Sequence, residues 1–169
     1  MFYFLILFII LIIVSAVTYA YGAWKAAPYV PTWDADLHRI FKLADLKPGQ
    51  KLYDLGCGDG RIVAAAAKIE AIAEGLEVSL LPYLWAKIKL ASTPNAKIRF
   101  EDFWSKNLSD ADVVYFFLTP KVMPDLKIKL EKELRPGSKV ISFVFELHGW
   151  QPTIIDKAPK RPTIYFYQR

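Results

Sequence analysis

Residues 54–60 read DLGCGDG and combine three glycines with two carboxylates in seven positions. The glycines are Gly56, Gly58 and Gly60. Glycine lets a backbone turn sharply and approach a ligand that a β-carbon would push away. The carboxylates of Asp54 and Asp59 would repel a phosphate, although the amides of a helix N-terminus attract one. The loop therefore favours a cationic nucleoside without phosphates, and its G-x-G-x-G spacing differs from the G-x-G-x-x-G of dinucleotide binders.

The elements around this loop predict an α/β fold. Strand-like and helix-like runs alternate from residue 51 onwards, and the central strand-like runs are apolar on both faces, which is typical of parallel strands covered by helices. The predicted strands are 51–56, 71–78, 96–102, 112–118 and 138–147, followed by a hairpin of 152–158 and 162–168. The predicted helices are 34–47, 60–69, 81–91 and 121–134. We therefore expect a Rossmann-like, doubly wound, seven-stranded sheet, mostly parallel with a C-terminal antiparallel hairpin, preceded by one N-terminal transmembrane helix.

The first 24 residues carry no charged side chain. The apolar run from Phe2 to Tyr21 would measure about 30 Å as a helix, which is the thickness of a bilayer's hydrocarbon core. We interpret it as a membrane-spanning anchor, with a cleaved signal peptide or a buried core helix as the alternatives. A basic leading region and a clear A-x-A cleavage site are missing, and the run is longer than in most signal peptides.

Charge predicts the orientation and the partners. Lys25, Arg39 and Lys42 follow the apolar run, so the positive-inside rule places the domain in the cytoplasm, or on the matrix side in a mitochondrion. The net charge of +5 favours anionic lipid headgroups. The basic residues are scattered among acids, so we expect a solvated surface and no nucleic-acid partner. The single cysteine, Cys57, excludes an internal disulfide and fits a reducing compartment.

The stretch YDLGCGDGRIV resembles the first motif of the class I, seven-strand methyltransferases that depend on S-adenosylmethionine. The resemblance implies that S-adenosylmethionine is the cofactor and that the loop residues Asp54, Gly56, Cys57, Gly58 and Gly60 bind it. No metal is implied.

Three further residues match positions of the same family. Glu77 lies 23 residues after Asp54, at the end of the second strand, where the family has the carboxylate that accepts hydrogen bonds from the ribose hydroxyls. We expect Glu77 to face solvent and to contribute little to the core. Asp102 closes the third strand, where the family's acid meets the adenine amino group, and Phe103 would lie against the ring. The alternative for Asp102 is a helix or turn cap.

A closer resemblance covers nearly the whole chain. PYVPTWD, GDGRIV, GLEVS, DFW, LTP, LRPGSKVIS and HGWQP together resemble the small membrane-anchored lysine methyltransferases of the ATP synthase c-subunit and the adenine nucleotide translocase, with their prokaryotic relatives. This resemblance implies that Tyr29, Pro31 and Thr32 fold over the cofactor pocket; the alternative is a plain linker. Leu80 stands where the family has a proline, and Pro82 comes later, so the start of the following helix stays open.

Methyl transfer from a sulfonium is an in-line displacement that mainly needs an aligned, neutral nucleophile. We therefore expect no general base, and name Thr119, Glu146 and His148 as candidates for orienting an amine, with Thr119 first. Aromatic residues could line a desolvating slot for the amine or could be simple core. They are Trp33, Trp104, Phe145 and Trp150.

These observations divide the chain into an anchor (1–24), a linker with an N-terminal helix (25–50) and an S-adenosylmethionine-binding methyltransferase domain (51–169). The resemblance implies N-methylation of a lysine in a membrane protein at the cytoplasmic face as the favoured function, and a tether would raise the effective concentration of two partners on one surface. The alternatives are a methyltransferase for a lipid, quinone or other lipophilic molecule and a non-catalytic membrane-tethered binding module.

Overall fold

Seven strands form one sheet in the order β3-β2-β1-β4-β5-β7-β6 in the computed structural model, which covers residues 1–169. The strands are β1 (Lys51–Leu55), β2 (Ile72–Glu77), β3 (Ala96–Phe100), β4 (Val113–Phe116), β5 (Lys139–Phe143), β6 (Ile154–Asp156) and β7 (Ile164–Gln168). The first five strands pair in parallel, and β7 pairs antiparallel with both β5 and β6. The predicted fold class, including its C-terminal hairpin, is confirmed.

The helices cover this sheet, apart from the first one. They are α1 (Phe2–Lys25), α2 (Asp34–Ala44), α3 (Arg61–Ala67), α4 (Leu80–Lys89) and α5 (Met123–Glu133), the last preceded by a 3₁₀ turn (Pro120–Val122). Helix α5 tolerates its early proline because Pro124 lies in the first turn, where an amide hydrogen would have no helical partner. Helix α4 begins at Leu80 with Ser79 as N-cap residue, which settles the open question about its start.

Two apolar clusters lie on opposite faces of the sheet. The first joins α2, α3 and α4 to the sheet and contains Ile40, Ile62 and Ala86. The second joins α5 to the other face and contains Phe116 and Leu126. All four residues of β4 are buried, which explains the continuous apolar pattern of this central strand.

The strand order reverses between β1 and β4, which are neighbours in the sheet. In open α/β sheets this switch point opens a crevice at the carboxyl ends of the strands. The glycine-rich loop follows β1 directly, so the topology places it at that crevice.

Helix α1 is the one helix that is long and apolar enough to cross a membrane, by length and composition, a test that signal sequences also pass. Residues 2–14 of α1 are exposed, whereas Ser15 and Gly22 are buried. The amide of Leu80 donates to the Thr18 hydroxyl at 3.1 Å. A β-carbon on Gly22 would lie 2.9 Å from the Ser79 Oγ atom, so the helix and the domain touch closely there. The second half of α1 is therefore packed against the start of α4.

Candidate cofactor-binding site

A cleft of about 770 Å³, including its open mouth, lies at the carboxyl ends of the parallel strands. Its floor comes from the loops that follow β1, β2, β3 and β4, and its cover comes from the segment between α1 and α2. The cleft brings together ten of the eleven residues predicted to bind the cofactor: Tyr29, Pro31, Thr32, Asp54, Gly56, Cys57, Gly58, Glu77, Asp102 and Phe103. Gly60, the eleventh, and Thr119, the first candidate for orienting the amine, are next in the chain to residues that line the cleft.

The glycine loop has the backbone that its sequence predicts. Gly56, Gly58 and Gly60 have φ angles of 79°, 55° and 73°, which L-residues with a side chain rarely adopt. A β-carbon on Gly58 would lie 2.5 Å from Cε2 of Tyr29, so this glycine is needed where the covering segment approaches the loop. Gly60 is the N-cap residue of α3, and a β-carbon on it would lie 3.0 Å from the Leu90 side chain, so this glycine allows close packing at the start of the helix.

Glu77 holds the loops in shape from the end of β2. Its Oε2 accepts the Gly58 amide at 2.9 Å, and its Oε1 accepts the amides of Val78 and Ser79 at 2.9 and 2.7 Å. The side chain is buried, so the expectation of a solvent-facing acid was wrong. A carboxylate offers about four acceptor positions, so three amides leave room for a hydroxyl donor.

Asp54 is a buried carboxylate at the end of β1 that faces the cleft and accepts no hydrogen bond from the protein. Burial raises its pKa well above the ordinary value, and the nearby charges of Glu77 and Asp59 raise it further. Burial likewise raises the pKa of the Cys57 thiol, which keeps this cysteine neutral and unreactive as a nucleophile.

Asp102 caps a turn, which was the alternative considered for it, and its predicted contact with the adenine amino group stays a prediction. Its Oδ1 accepts the amide of Trp104 at 3.0 Å, which caps the turn after β3, and the residue also lines the cleft. Its Oδ2 accepts the hydroxyl of Tyr21, a residue of α1, at 3.0 Å. Phe103 beside it is buried and packs against Trp104 with a ring distance of 4.8 Å.

The segment of residues 28–32 covers the cleft and is fastened by two residues that the sequence reasoning missed. The Arg61 guanidinium donates to the carbonyl of Thr32 at 2.6 Å and to both carboxylate oxygens of Asp59 at 3.0 Å. The Tyr115 and Thr32 hydroxyls share a buried hydrogen bond of 2.7 Å. Although burial raises the pKa of Asp59, the Arg61 guanidinium holds it below its ordinary value. Arg61 could have been noticed as the first charged residue after the glycine loop, whereas Tyr115 sits in an apolar strand without any such signal.

The residues predicted to orient the amine or to line a slot for it do not come together at one place in the cleft. The Thr119 hydroxyl donates to the carbonyl of Ala26 at 2.6 Å, so it joins the loop after β4 to the C-cap residue of α1. Phe117, which the sequence reasoning did not name, lines the cleft. The expected aromatic residues do not form one slot there. Trp33 is half exposed before α2, and Trp150 packs against Tyr167. His148 is exposed.

The residues of the cleft fit S-adenosylmethionine. Asp54 supplies an unpaired buried carboxylate for a cationic group, and Glu77 and Asp102 supply acceptors for hydroxyl and amino donors. Gly56 leaves the backbone open for close approach, because a β-carbon there would meet only Leu118, at 3.6 Å. Residues 54–60 contain no lysine or arginine that would bind a phosphate.

Comparison with known proteins agrees with this chemistry. The ANTKMT methyltransferase domain matches residues 54–154. A protein-lysine N-methyltransferase of Saccharolobus islandicus is 38% identical over 148 residues, which are 83% of this chain and 92% of that protein. The ATP synthase c-subunit lysine N-methyltransferase of Rattus norvegicus is 35% identical over 74% of this chain. The adenine nucleotide translocase lysine N-methyltransferase of Mus musculus is 33% identical over 76% of it. The chain spans only 59% and 57% of these two mammalian proteins.

Among solved structures, an RNA methyltransferase from Salinibacter ruber in complex with S-adenosyl-L-homocysteine superposes with a TM-score of 0.77. It is 31% identical and covers 82% of this chain and 93% of its own. A precorrin-6y C5,15-methyltransferase from Geobacter metallireducens has a TM-score of 0.64 at 13% identity and shows the shared fold alone.

Proposed function

The chain belongs to the ANTKMT methyltransferase family, and from this premise we propose that it methylates a lysine of a membrane protein beside the cytoplasmic membrane surface. Its cofactor is S-adenosylmethionine, as in the family, whose members include protein-lysine N-methyltransferases. The membrane protein and the cytoplasmic side are the new parts of this proposal.

When bound, S-adenosylmethionine supplies a methyl group on a positively charged sulfur. In the proposal, Asp54 balances the cofactor's positive charge, Glu77 accepts a ribose hydroxyl, and Asp102 with Phe103 holds the adenine. The segment of residues 28–32, fastened by Arg61 and Tyr115, excludes water from the reacting atoms. The target amine has to be neutral, and its ordinary pKa of about 10.4 would fall in a desolvated site.

The observation that supports a membrane-protein substrate is the direct contact between the end of α1 and the cleft. Tyr21 bonds to Asp102, and the carbonyl of Ala26 accepts the Thr119 hydroxyl, so the end of the apolar helix contributes to the cleft wall. Two of the similar proteins are lysine N-methyltransferases of the ATP synthase c-subunit and of adenine nucleotide translocase. An enzyme held at the bilayer by α1 would meet substrates of that kind at a high local concentration.

The test is to incubate the full chain with S-adenosylmethionine carrying a labelled methyl group and with membranes of the host. We expect label in lysines of integral membrane proteins, located by mass spectrometry of tryptic peptides. A Glu77→Gln variant keeps the shape of the side chain but removes its charge, and it should label several-fold less.

Other distributions of label would contradict the proposal. Label confined to an organic extract would indicate a lipophilic small substrate, and label in nucleic acid would indicate a substrate like that of the Salinibacter protein. Label in soluble proteins alone would show that the substrate is not a membrane protein. Cofactor binding without any turnover would support the binding module.

A further inference from the structure

Helix α4 carries a stripe of large apolar side chains that nothing in the chain covers. Leu81, Leu84, Trp85 and Ile88 are 57%, 37%, 65% and 74% exposed. Residues three or four positions apart lie on the same side of a helix, so these four form one face, which we call the α4 stripe. The opposite side of α4 is in the core, where Ala86 and Leu90 are buried.

The α4 stripe begins beside the apolar helix α1. The amide of Leu80 bonds to Thr18, and Gly22 lies against Ser79, so the first turn of α4 touches the second half of α1. An open apolar cleft between the helices is lined from both sides, and Leu11 and Leu81 are among its residues. The exposed apolar surface of α1 therefore continues onto α4 without a polar boundary.

The length of α1 sets how deep the domain must sit. The part of α1 before its first buried residue, Ser15, comprises residues 2–14 and measures about 20 Å at about 1.5 Å per residue. The hydrocarbon core of a bilayer is about 30 Å thick. If α1 crosses it, roughly the next 10 Å of α1 also lie in hydrocarbon. That stretch carries the contacts to α4, so the start of α4 has to lie at the same depth.

The ends of the α4 stripe suit a boundary between lipid and water. Trp85 has the amphipathic ring that collects at this boundary. Lys87 is exposed in the last turn of the helix, where its long side chain would reach headgroups, whereas the Lys89 ammonium lies 3.4 Å from the Asp59 carboxylate. The first turn of α4 has no acid.

We propose that the α4 stripe inserts into the headgroup and outer acyl region of the bilayer, so that the domain lies partly sunk in the membrane beside α1. This inference rests on the proposal that α1 spans the membrane, and it adds a second membrane-contacting element. The cleft opens next to both helices, because Val78 and Ser79 line it immediately before α4 starts.

The experiment places one environment-sensitive bimane label at a time on the full chain in phosphatidylcholine vesicles that contain phosphatidylglycerol. Ile88→Cys reports on the α4 stripe, and Ile10→Cys reports on the middle of α1. Ile128→Cys is the matched control, because this residue of α5 is 63% exposed on the opposite face of the sheet. The native Cys57 is buried and stays unlabelled. The measured quantity is quenching by lipids that carry a doxyl group near the headgroup or deep in the acyl chain.

We expect shallow doxyl lipid to quench the label at position 88 several-fold more strongly than the label at position 128. Deep doxyl lipid should quench position 10. Equal, weak quenching at positions 88 and 128 with strong quenching at position 10 would overturn the inference and leave the span of α1 intact. A label at position 88 with blue-shifted emission but no quenching would show that a second copy of the chain covers the stripe, which also overturns it. Absence of quenching at position 10 would instead overturn the span.

Discussion

At the scale of single residues, the cleft holds two carboxylates with opposite electrostatics. Asp54 is buried without a partner, and its pKa is raised, whereas Asp59 is paired with Arg61, and its pKa is lowered. In the cofactor-free protein, the surroundings therefore disfavour the charged form of Asp54 and favour the charged form of Asp59. This contrast makes opposite predictions for two substitutions of the same chemistry.

Asp54→Asn should raise the melting temperature of the cofactor-free protein at pH 7. Because the folded pKa of Asp54 is raised, its favourable contribution is complete below the ordinary value of about 3.9 and is lost as pH rises through the folded value. The difference between variant and wild type should therefore shrink as the pH is lowered towards 4. The same variant should lose roughly tenfold or more in affinity for S-adenosylmethionine, since a hydrogen bond to a charged group contributes about 1.5–3 kcal/mol. Thermal scanning and calorimetric titration across pH measure both effects.

Asp59→Asn is the matched control for that prediction. The folded pKa of Asp59 is lowered, so its contribution to stability is present above its ordinary pKa and is lost as pH falls through the folded value. This variant should melt at a lower temperature than wild type at pH 7. If both variants shift the melting temperature in the same direction, the assignment of Asp54 as an unpaired buried charge is wrong.

The sequence predicts which residues come together in the cleft far better than it predicts their burial and their hydrogen-bond partners. Glycine and acid at strand ends carry a local signal, so Asp54, Gly58 and Glu77 could be named from spacing. The burial of Glu77 could not, because it depends on three amides that approach from two different loops. The bond from Thr119 to Ala26 joins residues 93 positions apart in the chain, and no local pattern records such a contact.

At the scale of elements, the strands and helices follow from their apolar periodicity, and the docking of α1 does not. A run of apolar residues shows that a helix is able to enter a bilayer, but its contact with α4 depends on small groups such as Gly22 and on the hydroxyl of Thr18. The contact between α1 and the start of α4 therefore depends on how the side chains fit together, and hydropathy alone does not predict it.

Gly22→Leu should separate α1 from the domain, since even a β-carbon at this position would meet Ser79 at 2.9 Å and Val78 at 3.2 Å. We expect faster proteolysis between α1 and α2 and weaker cofactor binding, because Tyr21 would leave Asp102. Ala20→Leu is the control, since Ala20 is exposed on the same helix and the variant introduces the same side chain. Limited proteolysis and titration with S-adenosylmethionine distinguish the two variants. Identical behaviour would show that α1 is only a tether.

At the scale of the whole molecule, α1, the start of α4 and the cleft form one connected body. If α1 spans a membrane as we propose, the height of the cleft above the bilayer is then fixed by the shape of this body and not by a flexible linker. A flexible tether would let the domain sample many heights, because the span of such a chain grows with the square root of its length.

Single-span peptides with one lysine at successive positions outside the bilayer should be methylated only within a narrow window. We expect the window to cover about two helical turns, or roughly 10 Å. The yield at each position can be read by mass spectrometry after incubation in vesicles. The same peptides in detergent micelles should lose much of this dependence on position. Equal yields at all heights in vesicles would show that the domain swings freely.

The hydrogen bond between Tyr21 and Asp102 has one more consequence. If α1 lies in lipid as we propose, the Tyr21 hydroxyl connects a lipid-embedded helix to a carboxylate of the cleft, and the position of the helix and the occupancy of the cleft are then thermodynamically linked. Such coupling is reciprocal: a bilayer whose thickness shifts the helix would change how tightly the nucleoside binds, and a saturating nucleoside would resist that shift to the same extent. Under the proposed membrane-spanning role of α1, the composition of the lipid would thus affect catalysis through the hydroxyl of Tyr21.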